Sequence, residues 1–366
     1  MSHIVIDARI INSTTGRYVE RLLTYLEKID TSNQYTVLVP TKDAGYWKPS
    51  NPNFTIKTAD FANYSFGEQL GLLRLLRKLR PDLVHFCMPQ QPILYQGAHV
   101  TTVHDLTLLQ TYNSDKNWLV YHIKQLVGMI VFKRIAKTSA HIITPTHFVK
   151  DSYGEFAHIS PQKITVTYEA ADAPEGLQST AYKLPFTKYL LYVGQQSDYK
   201  NIRRLGDAHQ KLLKDHSELG LVLVGKKTAM HIKNEQYFQK QGYTNIHFTD
   251  FVTNEQLRWL YEHCTTYVFP SLMEGFGLPG LEAMAHGAPV VSSNSTCLPE
   301  VYGDAAWYFD PEDTNDMAER INQVLSDEKL RVQLIKRGDL QVKKYSWHKT
   351  AQQTHAVYLD ALRKQD

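Results

Sequence analysis

The feature that most constrains this chain is a regular alternation of short apolar strands with helical segments, met twice over. "HIVIDAR" (3–9) and "YTVLVP" (35–40) read as strands, and the amphipathic "GRYVERLLTYLEKI" (16–29) lies between them. "DLVHFCM", "HVTTVHD" and "AHIITPT" continue the strands around a long helix, "WLVYHIKQLVGMIVFKRIAKT" (118–138). A second series opens at "KYLLYVGQ" (188–195) and runs through "NIRRLGDAHQKLLKDH", "LGLVLVG", "NIHFTDFV", "NEQLRWLYEHC", "TTYVFPS" and "APVVSS". Strands joined by helices of this length must run parallel, with helices on both faces of the sheet. "TYEAADAPEGLQSTAYKLPFTK" (167–188) has no period and is rich in Ala, Pro and Gly, so it reads as the linker. The expected fold is α/β, with two doubly wound Rossmann-like domains at 1–170 and 186–346. Each would open its ligand crevice at the carboxyl ends of its strands, and facing crevices would form one interdomain cleft.

Size and charge narrow the function classes. A chain of 366 residues can bury two ordinary cores, and 43% hydrophobic with 21% charged residues is a globular composition. Cys87, Cys264 and Cys297 lack metal-site spacing and are odd in number, which argues for reduced thiols in a cytoplasm. The start enters a strand with no basic-then-apolar leader, and no apolar run is long enough to span a bilayer. Net charge is +3, with the excess in the first 170 residues, which carry 18 Lys+Arg against 13 Asp+Glu. Part of it sits in "EQLGLLRLLRKLRP" (68–81), where Arg74, Arg77, Lys78 and Arg80 share a helix with leucines. That helix reads either as a solvated face or as a contact with an anionic membrane surface at the inner face. Nucleic acid is not an expected partner.

The chemistry concentrates in "YVFPSLMEGFGLPGLEAMAHGAPVVSSN" (267–294). A buried strand end leads into a glycine turn, and Pro279 sits in the first turn of a helix read as about 280–286. Backbone N–H groups at Gly277 and Leu278 are left without helical partners at a positive helix end, which outlines an anion site. Glu274 and Glu282 flank it, and carboxylates there suit sugar or ribose hydroxyls. Each glutamate alone could equally be a helix-start charge. No Gly-x-Gly-x-x-Gly follows the first strand, which disfavours a dinucleotide oxidoreductase.

This string, with "LPEVYGDAAWYFDP", "TVHDLTLL" and "YVGQQSDYKN", resembles glycosyltransferase family 4 over nearly the whole chain. The resemblance implies a GT-B architecture and a terminal helix, about 347–366, that crosses back onto the first, acceptor-binding domain. It implies transfer of a sugar from a nucleotide donor to an acceptor hydroxyl, with retention and no required metal or other cofactor. Within it, Lys200 would reach the donor diphosphate, Glu274 the sugar hydroxyls and Glu282 the ribose. Gly275, Phe276, Gly277 and Leu278 would form the turn. His104 would orient a sugar hydroxyl, and Asp105 would fix its tautomer or bind another hydroxyl. Gly16 would let the backbone approach the donor. The sequence departs from the family pattern at Thr14 for a glycine, at Gln195 for a diphosphate arginine and at Asp250 for a glycine. The match is nearest the mannosyltransferase branch, whose donor is GDP-mannose. The acceptor would be a polysaccharide end, a lipid-linked sugar or a small alcohol. A UDP-sugar transferase and a non-catalytic nucleotide-sugar-binding protein are the alternatives, with an epimerase or phosphorylase of the same shape disfavoured by the paired glutamates.

Overall fold

The computed structural model describes residues 1–13, 15–111, 118–172 and 178–364. Thr14 and part of the expected linker lie outside them. The chain divides into two compact units, one of Met1–Leu109, Ile123–Glu169 and Ser346–Asp366, the other of Gln110–His122 and Ala170–Tyr345.

The first unit is built on strands β1 (His3–Asp7), β2 (Gln34–Val39), β3 (Phe54–Thr58), β4 (Leu83–Phe86), β5 (His99–Thr102), β6 (His141–Thr144) and β7 (Ile164–Val166). They pair in the order β3-β2-β1-β4-β5-β6-β7, every pair parallel. Its helices include α1 (Gly16–Ile29), α2 (Leu73–Leu79), α3 (Thr107–Gln110), α4 (Trp118–Thr138) and α5 (His147–Ala157). β3 and β7, which the apolar pattern does not announce, are the two edges. β3 buries one residue in five, so the alternation that marks a strand is nearly absent from it.

The second unit holds β8 (Lys188–Val193), β9 (Leu219–Val224), β10 (Ile246–Phe248), β11 (Thr266–Phe269), β12 (Val290–Ser293) and β13 (Ala306–Phe309), in the parallel order β10-β9-β8-β11-β12-β13. Its helices are α6 (Ile202–Leu212), α7 (Ala229–Lys240), α8 (Asn254–His263), α9 (Leu278–Ala285), α10 (Leu298–Tyr302), α11 (Thr314–Ser326) and α12 (Glu328–Val342). Both sheets are doubly wound. Strand order reverses between β1 and β4 in one and between β8 and β11 in the other, and ligands of such sheets bind beyond the strand ends at those points.

The last helix, α13 (Trp347–Arg363), packs against α1 of the first unit, as the resemblance implies. Its buried Tyr358 hydroxyl lies 2.5 Å from His85 Nδ1 on β4, and His85 Nε2 lies 2.8 Å from Thr102 Oγ1 on β5. His355 Nε2 meets Asp30 Oδ2 at 3.0 Å just past α1. The apolar face of α1, Leu22, Leu23 and Leu26, is fully buried.

Two local readings change. The segment 68–81 is a π-helix over Gly67–Leu72 followed by α2, which ends where Arg80 turns left-handed at φ 47° ahead of Pro81. The glycine-turn helix starts at Leu278 rather than 280 and ends at Ala285, because Gly277 itself, at φ 90°, is the N-cap. Among the described residues, no helix is long and apolar enough to cross a membrane.

Candidate active site

In the second unit the strands beside the strand-order reversal deliver two loops to one place. After β8 the chain makes a 3-10 turn, Asp198–Lys200, and Asn201 enters α6 in the left-handed conformation at φ 61°. Asn201 holds that corner by donating to the carbonyls of Pro270 (3.1 Å) and Pro311 (2.8 Å). After β11 the chain runs through Glu274 into α9, and Leu272 N donates to Tyr199 O at 2.8 Å, so the two loops are tied. Lys200 Nζ then lies 2.5 Å from Glu274 Oε1, with each side chain 13% exposed.

The ammonium also lies 5.1 Å from the Tyr199 ring centroid and 5.5 Å from that of Phe269. Burial opposes the charge on Lys200. The fields of Glu274, Tyr199 and Tyr192 and the Glu274 hydrogen bond outweigh it, so the pKa is raised above the ordinary lysine value. Glu274 is itself anchored, its N–H donating to Thr296 Oγ1 at 3.2 Å and its carbonyl accepting from Cys297 Sγ at 3.3 Å.

Gly277 is required where it stands. A Cβ there would meet Leu298 Cδ2 and Tyr302 OH, both at 2.6 Å, and its φ is unfavourable for other residues. The Gly277 carbonyl accepts from the Tyr302 hydroxyl and from Gly280 N at 3.1 Å, and Pro279 has no N–H, so the start of α9 presents the Leu278 N–H to a ligand. Leu278 opens that turn. Glu282 follows one turn, about 6 Å, along the helix and is half-buried. Gly275 and Phe276 are buried; the Phe276 ring packs edge-on to Tyr345, so only its backbone belongs to the turn. Gln195 is exposed and its carbonyl accepts from Tyr192 OH at 2.7 Å. The adjacent Gln196, which the sequence reading passed over, is buried, with Asn234 Nδ2 3.3 Å from its side-chain oxygen.

In the first unit, β5 ends at Thr102 and presents His104. Its Nε2 lies 3.0 Å from the Cys87 carbonyl at the end of β4. A carbonyl only accepts, so this contact assigns a proton to Nε2. Nδ1 lies 3.4 Å from Glu169 Oε1, and the Tyr18 ring meets the imidazole edge-on with centroids 4.7 Å apart. Asp105 does not fix the tautomer. Its Oδ1 accepts from Thr107 N at 2.8 Å, at the start of α3. Glu169 was missed because it stands in the Ala-rich segment read as linker. Gly16 begins α1 against the backbone of the preceding loop, where a Cβ would come within 2.0 Å of Ile11 O.

Beyond the ends of β1, β2 and β3 a pocket of about 750 Å³ is lined by polar side chains such as Arg9, Asn12, Thr41 and Asp60 together with apolar ones such as Ile10 and Phe61. Arg9 forks onto Asp7 with two bonds of 2.8 Å and reaches Glu68 Oε1 at 2.9 Å. Among the described residues, no group of three or more His, Cys, Asp or Glu is placed to hold a metal ion.

Two family descriptions match, one to each part of the chain: "Glycosyltransferase Family 4" over residues 15–173 and "Glycosyl transferases group 1" over 183–341. The chain is 32% identical over 279 residues to the O-antigen chain mannosyltransferase B of Escherichia coli, covering 71% of this chain and 69% of that protein. It is 29% identical over 265 residues to the serotype-specific mannosyltransferase WbdA of Escherichia coli, spanning 69% of this chain and 32% of that longer protein. Among solved structures, the sucrose-phosphate synthase of Thermosynechococcus elongatus superposes with a TM-score of 0.80 over 100% of both chains. At 17% identity that is a likeness of fold.

Proposed function

The chain belongs to glycosyltransferase family 4 and has its GT-B fold, and from that premise we propose that it transfers mannose from GDP-mannose to a glycan hydroxyl. Transfer proceeds with retention and without a metal ion. The observation that carries this reading is the Lys200–Glu274 pair at 2.5 Å. A nucleotide sugar places an anionic diphosphate one bond from a hydroxyl-rich ring. A site for that junction needs a cation and a carboxylate side by side.

Lys200 and the N–H groups at the start of α9 stabilise the charge that grows on the diphosphate as its bond to C1 breaks. Glu274 holds the sugar hydroxyls and Glu282 the ribose. With retention, the acceptor oxygen bonds C1 on the face the diphosphate leaves. The departing phosphate oxygen is then the nearest base for the acceptor's proton. His104 orients a sugar hydroxyl, and the first unit, with α13, takes the acceptor in the Arg9 pocket. Arg74, Arg77 and Lys78 on α2 are exposed and suit peripheral contact with the anionic inner face of a cytoplasmic membrane.

A thermal-shift series tests the donor: GDP-mannose should stabilise the protein more than UDP-glucose or a deoxythymidine sugar, because a ligand selective for the folded state raises stability by mass action. Greater stabilisation by a UDP-sugar would reassign the base and leave the transferase reading standing. Donor binding with neither hydrolysis nor transfer would make the chain a binding protein.

A further inference from the structure

Three contacts hold the His104 ring, and each leads back to α13. The Cys87 carbonyl, 3.0 Å from Nε2, stands two residues after His85, whose Nδ1 lies 2.5 Å from the Tyr358 hydroxyl on α13. The Tyr18 ring, edge-on to the imidazole at 4.7 Å, carries a hydroxyl 3.0 Å from Thr102 Oγ1, and Thr102 is in turn 2.8 Å from His85 Nε2. The Glu169 carboxylate, 3.4 Å from His104 Nδ1, follows Tyr168, whose carbonyl accepts from Thr350 Oγ1 of α13 at 2.5 Å. All of these residues belong to the first unit.

Packing alone does not ask for this chemistry. Tyr18, His85, Thr102, Thr350 and Tyr358 are each no more than 2% exposed, in a core where leucine or valine would fill the space without burying polar groups at a cost. A buried polar chain whose members are satisfied fixes side-chain orientation in a way that apolar packing does not. Burial pushes His85 down to about 3 and raises Tyr18 and Tyr358 well above the ordinary tyrosine value, so all three are neutral near neutral pH. A neutral imidazole has one donor and one acceptor nitrogen. Tyr358 and Thr102 therefore take opposite roles at His85, one donating to the ring and the other accepting from it, whichever tautomer is present.

We infer that α13 is the positioning element for His104: Tyr358, acting through His85, Thr102 and Tyr18, and Thr350, acting through the Tyr168–Glu169 backbone, fix the angle at which the imidazole meets a sugar hydroxyl. This positioning presupposes the role proposed for His104 and deepens it. The last helix of the chain thereby belongs to the site without touching substrate.

The test uses Tyr358→Phe, Tyr18→Phe and Thr350→Val, each of which removes one bond of these paths and keeps the volume. Each should lower kcat by about tenfold, part of the roughly 100-fold loss that a misplacement of about 1 Å can cause, with GDP affinity unchanged. In a His104→Ala background none should lower kcat further, because no ring is left to misplace. Full kcat in all three single variants, or the same loss again in the His104→Ala background, would overturn the inference. His355→Ala is the control. It removes the 3.0 Å contact of α13 with Asp30, which lies on neither path, so it should lower stability to urea and leave kcat at the wild-type value. A loss of kcat equal to that of Tyr358→Phe would mean that helix docking in general is responsible, and would also overturn it. The NMR resonance of the His104 imidazole, assigned by its absence from His104→Ala, gives a readout independent of transfer. It should move in Tyr358→Phe and Thr350→Val and stay in place in His355→Ala. That result in a protein that transfers no sugar would count against the transferase reading and leave the positioning standing, whereas an unmoved resonance in both variants would remove the positioning whether or not transfer occurs.

Discussion

Lys200 Nζ and Glu274 Oε1 lie 2.5 Å apart although 74 positions separate the residues in sequence. Each stands on the loop after a strand beside the point where strand order reverses, so the topology of the sheet, not local sequence, creates the pair. An ion pair this enclosed keeps its charges fixed before a donor arrives, which is the preorganisation that transition-state stabilisation needs. Lys200→Ala should therefore slow transfer by about 10²- to 10³-fold, roughly 2.7 to 4 kcal/mol, as for loss of one preorganised donor. Steady-state kcat/KM checks it, and a loss below tenfold would mean another group meets the diphosphate charge. Glu274→Ala should slow transfer while leaving affinity for free GDP intact, whereas Glu282→Ala should weaken GDP itself. Calorimetric titration of GDP separates the two.

If Lys200 and the start of α9 together supply the positive end of the site, a divalent cation is not needed there. Transfer should continue in EDTA at its untreated rate. Loss of activity with EDTA and recovery with manganese would contradict the assignment of charge stabilisation to these groups.

The fold was legible because its signal is repetitive. Every central strand of both sheets is an apolar run between helical periods, whereas the edge strands β3 and β7 have too few buried residues to show one. The glycine turn was legible for a different reason: Gly277 and Pro279 each satisfy a backbone demand that few other residues meet. What one sequence does not reveal is which distant residue completes a contact. Glu169 looked like part of a linker, and only the ends of β5 and β7 bring it to His104. Asp105, adjacent in sequence to His104, looked like its partner and instead bonds the backbone at Thr107. Gln195 and Gln196 are chemically identical, and the turn after β8 alone decides which is buried.

The His104 contacts predict a division of labour. Its ring is held by the Cys87 carbonyl and by Glu169, so Glu169 acts through His104 as a positioning residue. His104→Ala should cost about 10- to 100-fold in kcat, about 1.5 to 3 kcal/mol for a hydrogen bond involving a charged or polarised partner. Glu169→Gln should lower kcat by a smaller factor with GDP affinity unchanged, and Glu169→Asp should recover part of it. A Glu169→Gln enzyme that loses GDP affinity as much as kcat would show a general structural defect instead.

Gly277→Ala should damage the second unit measurably. The added Cβ would sit 2.6 Å from both Leu298 Cδ2 and Tyr302 OH, at a φ of 90°. Tyr302 is fully buried and cannot swing away. The strained backbone alone costs on the order of 1–3 kcal/mol, to be read by urea unfolding. Tyr302→Phe removes one of the two clashing atoms. The double variant G277A/Y302F should therefore be less destabilised than the sum of the single changes. Simple additivity would mean that the backbone strain, rather than the tyrosine hydroxyl, sets the cost.

Acid should destabilise both units in a window that their buried histidines define. His85 in the first unit is pushed down to about 3 by burial, with a smaller contribution from His104. His209 in the second is pushed down to about 4 by burial, against the opposing hydrogen bond to Leu219 O. Unfolded histidine titrates near about 6.5. Above that pH neither state carries the proton and these groups leave stability unchanged. As pH falls below it, the unfolded chain gains protons that the folded chain refuses, so stability drops until the folded values are reached. Each such histidine contributes a slope of about 1.4 kcal/mol per pH unit, hence about 3 kcal/mol between pH 6.5 and 4. His99, His141, His231 and His247 are shifted in the same direction and steepen the fall. Carboxylates such as Asp30, held low by hydrogen bonds from Tyr35 and Asn33 that outweigh its burial, lose their contribution only below about pH 4, the unfolded aspartate value. Urea unfolding between pH 4.5 and 6.5 therefore reads chiefly the histidines. The buried Glu68 acts in the opposite direction, because burial holds its carboxyl above the ordinary glutamate value against the pull of Arg9. His209→Leu, whatever its baseline stability, should flatten the slope there by about one proton, and an unchanged slope would mean that His209 is protonated in the folded protein.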